Sequence, residues 1–283
     1  ISALTALLFS IRISGILILF HYLITFLITL GSAQKSFFKI LKIYFFKLIL
    51  FLSLTLIFTL LLYPVLWKNP MLIIDSINQM RNINYGVCTL TLGKCMDSLK
   101  LPSSYIFIWL FFKLPLLALL GFLLFPFVEK KIFSKINSQI ILGSILFTIA
   151  FIIFLLIFID VNLYDEIRHI LFIVPLILIV AFSTIYFFSK KLLLYCSIIS
   201  ILIFSIQNFI IYPYQYTWFN SFSNFIDINK NFEVDYWGVS GRNIASKINS
   251  NEVLLSHIDK CIYVSPIHII KPFLSEDYKC VKS

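Results

Sequence analysis

The chain has 283 residues, of which 60% are hydrophobic and 13% charged. A soluble domain is about 45–50% apolar and about 25% charged, so a single buried core cannot absorb the excess, and the surplus apolar surface must face lipid. The net charge of +10 reflects lysine clusters between apolar runs; it gives no support to nucleic-acid binding.

The chain opens on an isoleucine inside an apolar stretch, with no recognisable signal peptide. Residues 1–11 read as the end of a helix, and the expectation is a fragment whose N-terminal part lies upstream. About 20 apolar residues cross a hydrocarbon core, and six segments reach that length: 13–30, 43–62, 104–126, 139–159, 169–188 and 192–212. Pro115, Pro126 and Pro175 fall within them or at their ends, which membrane helices tolerate when neighbours satisfy the freed carbonyls. Lys35, Lys39, Lys42 and Lys47 form one cluster, Lys130, Lys131 and Lys135 a second, and Lys190 and Lys191 a third. The excess of lysine in short loops marks the cytoplasmic side. The loop at 63–103, the loop at 160–168 and the tail from 213 then face outward, taking twelve of the thirteen acidic residues; Glu129 is the exception.

The outer loop at 63–103 is too long for a passive connection. It opens with YPVLWKNP (Tyr63–Pro70), whose aromatic residues suit the membrane interface. Ile73, Ile74, Ile77 and Met80 then recur at helical spacing. They predict an amphipathic helix that either lies on the bilayer or packs on other outer loops. Cys88 and Cys95 share this loop, and Cys261 and Cys280 share the tail, while Cys196 stands alone in a span. Paired cysteines on an oxidising side predict two disulfides, Cys88–Cys95 and Cys261–Cys280, with free thiols as the alternative. In the tail, Ser240 is placed to cap a short helix in which Ile244 and Ile248 share a face. EVLLSH and CIYVSPIHII read as strands. The sequence thus predicts an all-α polytopic membrane helix bundle over 1–212, with about six full spans and a partial first one. A small α/β extracytoplasmic lobe follows over 213–283.

No Walker loop, dinucleotide glycine fingerprint or HExxH helix occurs. The four histidines are scattered, with His21 inside a span. The most informative stretch is DVNLYDEIRHILFIVP (Asp160–Pro175), which gathers Asp160, Asp165, Glu166, Arg168 and His169 at the outer mouth of two spans. Ionisable groups at membrane depth are costly and usually functional. Arg168 and His169 suit a phosphate, since arginine offers it a planar fork of donors. The alternative pairs Arg168 with Asp165 or an outer-loop carboxylate. Arg12, at the outer end of a span, either snorkels to the interface or contacts a lipid head group. Asp235, Tyr236 and Trp237 form a polar-aromatic unit that either binds a sugar or docks the tail onto the membrane domain.

YDEIRHILFIVP (Tyr164–Pro175) resembles the Y-D-x-x-R-H-x-x-F-x-x-P stretch of bacterial polytopic glycosyltransferases of the GT-C superfamily, family 39-like. These are related to protein O-mannosyltransferases and lipid A aminoarabinose transferases. IRISGIL (Ile11–Leu17), YPVLWKNP, LPSSYIFIWLFFKLP (Leu101–Pro115), PYQYTWFN (Pro213–Asn220) and FEVDYWGVS (Phe232–Ser240) extend the likeness in the family's order. The family's glycine pair is absent near Ser223 and Asn224. The resemblance implies a GT-C-like bundle that transfers a sugar from a polyprenyl-phosphate donor to a glycan, lipid or protein acceptor, in contact with membrane lipid. Its setting would be the bacterial inner membrane, with the tail in the periplasm. The acidic catalytic base is expected in an earlier outer loop that this sequence lacks, so no residue here is assigned that role. The leaving phosphate needs its charge stabilised, by a divalent metal ion or by positioned cations. Arg168 and His169 lead as candidates, followed by Arg12 and Arg81, with Asp165 and Glu166 in support. Two other classes compete: a catalytically silent membrane subunit of the same fold, and a secondary transporter, which inverted repeats would favour.

Overall fold

Leu-, Ile- and Phe-rich runs close their own backbone hydrogen bonds as helices, which lets a single segment lie in lipid without orphaned polar groups. The computed structural model describes residues 1–11, 15, 17–32, 37–69, 71–72, 74–75, 86, 88–164, 166–235, 237–250, 262–263, 267–274 and 281–282. The chain is mostly helical and divides into two units, Ile1–Thr89 with Cys95–Ser200, and Leu90–Lys94 with Ile201–Ser283.

The helices are α1 Ser2–Ile11, α2 Leu17–Ser32, α3 Phe37–Leu62, α4 Ser104–Lys113, α5 Leu116–Phe133, α6 Ile136–Phe158, α7 Val174–Phe188 and α8 Lys190–Ile210. A 3-10 segment, Arg168–Ile173, leads into α7. Among the described residues four stretches are long and apolar enough to cross a membrane: Phe45–Leu62, Ile136–Phe158, Arg168–Phe188 and Lys190–Ile210. The bent pair α4–α5 makes a fifth if counted as one span. Several such helices are the signature of an integral membrane protein.

Two of the six expected spans take another form. The span expected at 104–126 is broken, with α4 and α5 meeting at 116°. Leu114 is extended (φ −80°, ψ 142°), as residues before proline tend to be, and Pro115 offers no N–H to continue the ladder. Over 13–30 the described helix is α2, only 16 residues long. Gly15, just before it, lies so close to α1 that a Cβ would stand 2.7 Å from the Leu8 carbonyl oxygen.

In the first unit, α5 and α7 run side by side in the same direction. Gly121 allows their close approach, since a Cβ there would fall 2.5 Å from the Ala181 carbonyl oxygen. At their C-terminal ends Lys131 Nζ donates to the Phe187 carbonyl at 2.6 Å. Val128, Ile132 and Leu142 form a buried cluster nearby, covered by Phe125, Phe133 and Phe187. Phe20 on α2 stacks on Phe151 of α6 at 3.9 Å, and His21 Nδ1 lies 2.9 Å from Thr148 Oγ1. Tyr63, following α3, donates its hydroxyl to the Ser10 carbonyl at 2.9 Å, satisfying an orphan carbonyl at the end of α1. No residue of α8 is buried.

Strands β1 Cys88–Thr91 and β2 Lys94–Asp97 pair as a hairpin. Its cysteines Cys88 and Cys95 are joined in the expected disulfide. Leu92 (φ 50°) and Gly93 (φ 74°) make the turn, and positive φ at both positions is the type I′ form that twisted hairpins favour. The tip belongs to the second unit, where the Glu233 N–H donates to the Leu90 carbonyl and the Gly93 N–H to that of Asn231, each at 3.0 Å.

The second unit also holds helix α9, Gly241–Asn249, and two short parallel strands, β3 Ile262–Tyr263 and β4 Val281–Lys282. The expected strand CIYVSPIHII is corrected in part: Ile267–Ile270 forms one turn of helix. Pro266, just before it in the sequence, favours a helix start and removes a ladder donor. Gly241 packs against this turn, where a Cβ would sit 2.7 Å from the Ile269 carbonyl oxygen. Cys261, Cys280, the EVLLSH segment and most of the amphipathic stretch at 73–80 lie outside the described residues.

Candidate functional site

Helix α4 ends at Lys113 because the next two residues, Leu114 and Pro115, cannot carry it further. A cation there complements the free carbonyls of a helix C-terminus. Lys113 Nζ lies 2.5 Å from Glu166 Oε2, with the two side chains 5% and 4% exposed. The Trp109 ring, one turn earlier on α4, is 5.8 Å from the same ammonium. Leaving either charge alone in this setting would cost several kcal/mol (~3–5), so each accounts for the other's presence.

Glu166 reaches the pair from the loop between α6 and the 3-10 segment. Its backbone is left-handed (φ 64°), as is that of Asp160 (φ 49°). Such a conformation costs a residue with a Cβ about 1–3 kcal/mol. A hydrogen bond to a charged group contributes about 1.5–3 kcal/mol, enough to hold Glu166 there.

Arg168 follows two residues later, at the start of the 3-10 segment. Its guanidinium carbon lies 5.1 Å over the Tyr164 ring, whose centroid is 4.6 Å from that of His169 in an edge arrangement. Arg168 and His169 are half-buried, and Tyr164 braces both. The loop therefore presents a guanidinium and an imidazole on an aromatic support, a pairing suited to a phosphate or another anion. Asp160 lines a small adjacent pocket with Ser98, Tyr105 and Leu156.

The structure thus brings Glu166, Arg168 and His169 together, and it adds Lys113, which the sequence reading missed as a site residue. The available signal was a lone lysine between Phe112 and Leu114 in an apolar run, directly before a proline turn. Arg12, Arg81, Asp165 and Tyr236 lie outside the described residues, and with Asp165 goes one of the two pairings expected for Arg168. Among the described residues no group of three or more His, Cys, Asp or Glu side chains is placed to hold a metal ion.

In the second unit Asp235 is surrounded by donors. The Val239 N–H reaches Oδ1 at 3.0 Å and the Ser240 N–H reaches Oδ2 at 3.1 Å. The hydroxyls of Tyr216 and Ser240 donate to the two oxygens as well. Burial pushes this carboxyl up, but the bonds from Ser240, Tyr216 and Val239 together outweigh it and hold it below its usual value. Ser240 stands at the N-cap of α9 as expected, yet its hydroxyl serves Asp235 and makes no cap bond. Four donors leave the carboxylate little capacity for a sugar hydroxyl, and they tie the Tyr216 segment to the turn before α9. Trp237, on that turn, is 57% exposed.

No protein-family model, no curated protein and no solved structure matches the chain.

Proposed function

We propose that the protein transfers a sugar from a polyprenyl-phosphate donor to a glycan, lipid or protein acceptor. The transferase would be of the GT-C type, in the bacterial inner membrane with its C-terminal unit in the periplasm. The supporting observation is the grouping of Arg168 and His169 on Tyr164 beside Lys113 and Glu166, at the end of α5 and α7 opposite the Lys131 end. A departing polyprenyl phosphate carries concentrated negative charge, and donors already in place stabilise it without reorganisation. Arg168 would take the phosphate oxygens in a fork, His169 would add a donor from its ring, and apolar faces of the helices would receive the prenyl chain. A silent membrane subunit of the same fold is the second reading. It is favoured by the closed Lys113–Glu166 pair, in which a site cation is already neutralised.

The test is transfer of label from polyprenyl-phosphate sugars by membranes containing the protein, beside an Arg168→Ala variant at equal protein level. Loss of product by about 100-fold or more in the variant is the expected outcome. Equal product from both proteins would remove Arg168 from the site. No product from any donor would move the assignment to the silent subunit.

A further inference from the structure

We propose that the buried Lys113–Glu166 pair is the positioning device of this site: it pins the loop after α6 to the break between α4 and α5, and so fixes where Arg168 and His169 stand. The role given to those two residues rests on the function proposed above, whereas the positioning itself does not.

Three observations carry the inference. Glu166 stands two residues before Arg168, in a left-handed conformation whose side chain ends on Lys113 at 2.5 Å. Any shift of that carboxylate is passed directly into the turn that starts the Arg168–Ile173 segment. Second, the anchor at the other end is rigid, because Lys113 closes α4 at the Leu114–Pro115 break and lies against Trp109, which is fully buried. Third, an ion pair is a poor choice if cohesion alone were needed, since well-packed apolar residues often serve as well or better in a buried site.

The pair also sets the charge that an incoming anion meets. A bare carboxylate at Glu166, so near Arg168 in the chain, would repel a phosphate. Lys113 cancels that charge. Removing Lys113 alone should therefore harm anion binding more than removing both charges together.

The test uses the full chain in lipid nanodiscs, with phenylglyoxal as the probe of Arg168 and mass spectrometry of the Arg168 peptide as the readout, so no sugar donor is needed. In Glu166→Gln and Lys113→Met the modification rate at Arg168 should change by about tenfold or more, the size expected when a charge-assisted contact is lost. The exchange Lys113→Glu with Glu166→Lys should return the rate toward wild type. Glu166→Asp keeps the charge, and with it the fold, but retracts the carboxylate by one bond; it should also change the rate if the pair positions the loop. Unchanged Arg168 reactivity in Glu166→Asp and in whichever single variants fold, whatever their melting temperatures, would overturn the proposal. Polyprenyl monophosphate added to the wild type tests the parent assignment separately. If it fails to shield Arg168 while the variants behave as expected, the phosphate site falls and the positioning pair stands.

Discussion

Asp235 accepts from four donors in a turn that would otherwise leave the N–H groups of Val239 and Ser240 unsatisfied. Because its folded pKa lies below the ordinary aspartate value, its contribution to stability is fully present above about pH 4 and is lost as pH falls through the folded value. The acid unfolding of the second unit, followed by tryptophan fluorescence, should therefore depend on pH in that range, and Asp235→Asn should flatten the dependence. An unaltered acid profile in the variant would show that the four bonds do not favour the ionised form. A second residue-scale prediction concerns Leu92. Its positive φ in a type I′ turn suits asparagine far better than a γ-branched apolar residue, and 43% of its surface is exposed, so little packing is at stake. Leu92→Asn should stabilise the hairpin by about 1 kcal/mol, read as a higher denaturation midpoint.

Between elements, the closest constraint is the crossing of α5 and α7 at Gly121. Alanine is preferred to glycine inside a helix by about 1 kcal/mol, so propensity alone would make Gly121→Ala stabilising. The Ala181 backbone would lie 2.5–2.6 Å from the new Cβ, and overpacking of that kind costs about 1–3 kcal/mol. The clash should win. Gly121→Ala is expected to lower the melting temperature in detergent, and Gly121→Leu to lower it further; an increase would mean that the two helices slide apart at little cost. How far these elements were legible beforehand follows from the same physics. The apolar runs of α3, α6, α7 and α8 announce themselves because lipid demands length and low charge from each segment independently. The break at Leu114–Pro115 was visible as a proline, but its 116° size was not, because a proline does not by itself set the angle between the helices it separates. The partner of Lys113, Glu166, is distant in sequence, so the pair was not legible beforehand. Arg168 and His169 were legible as costly groups beside each other, whereas the Tyr164 ring that braces them follows from the local fold of the loop. The hairpin at 88–97 was legible only through its cysteines, since Leu-Gly is a weak turn signal.

For the whole molecule, the two ends of the helix bundle differ in chemistry. At one end Lys131 donates to the Phe187 carbonyl, Lys135 lies 5.9 Å from the Phe187 ring and Lys190 lies 5.2 Å from the Tyr186 ring. These contacts gather the C-termini of α5 and α7 with the N-termini of α6 and α8, and they place the Lys131 ammonium on a helix carbonyl end, where a cation is favoured. The other end carries Asp160, Glu166, Arg168 and His169. Cationic residues cost about 2.5–3.5 kcal/mol each at the centre of a membrane span, so the lysine-rich end has a strong preference for the side that retains lysine during insertion. In a background with Cys88, Cys95, Cys196, Cys261 and Cys280 replaced, a cysteine at Ser134 should react with a membrane-impermeant maleimide only after the cells are opened. A cysteine in place of Trp237 should react while the membrane that holds the protein is still intact. The reverse pattern would put the Arg168–His169 end in the cytoplasm, where donors exposed only at the outer face cannot reach it. It would end the transferase proposal while leaving the packing of the helices untouched, because the contacts that hold α5 to α7 do not depend on which side of the membrane each end faces.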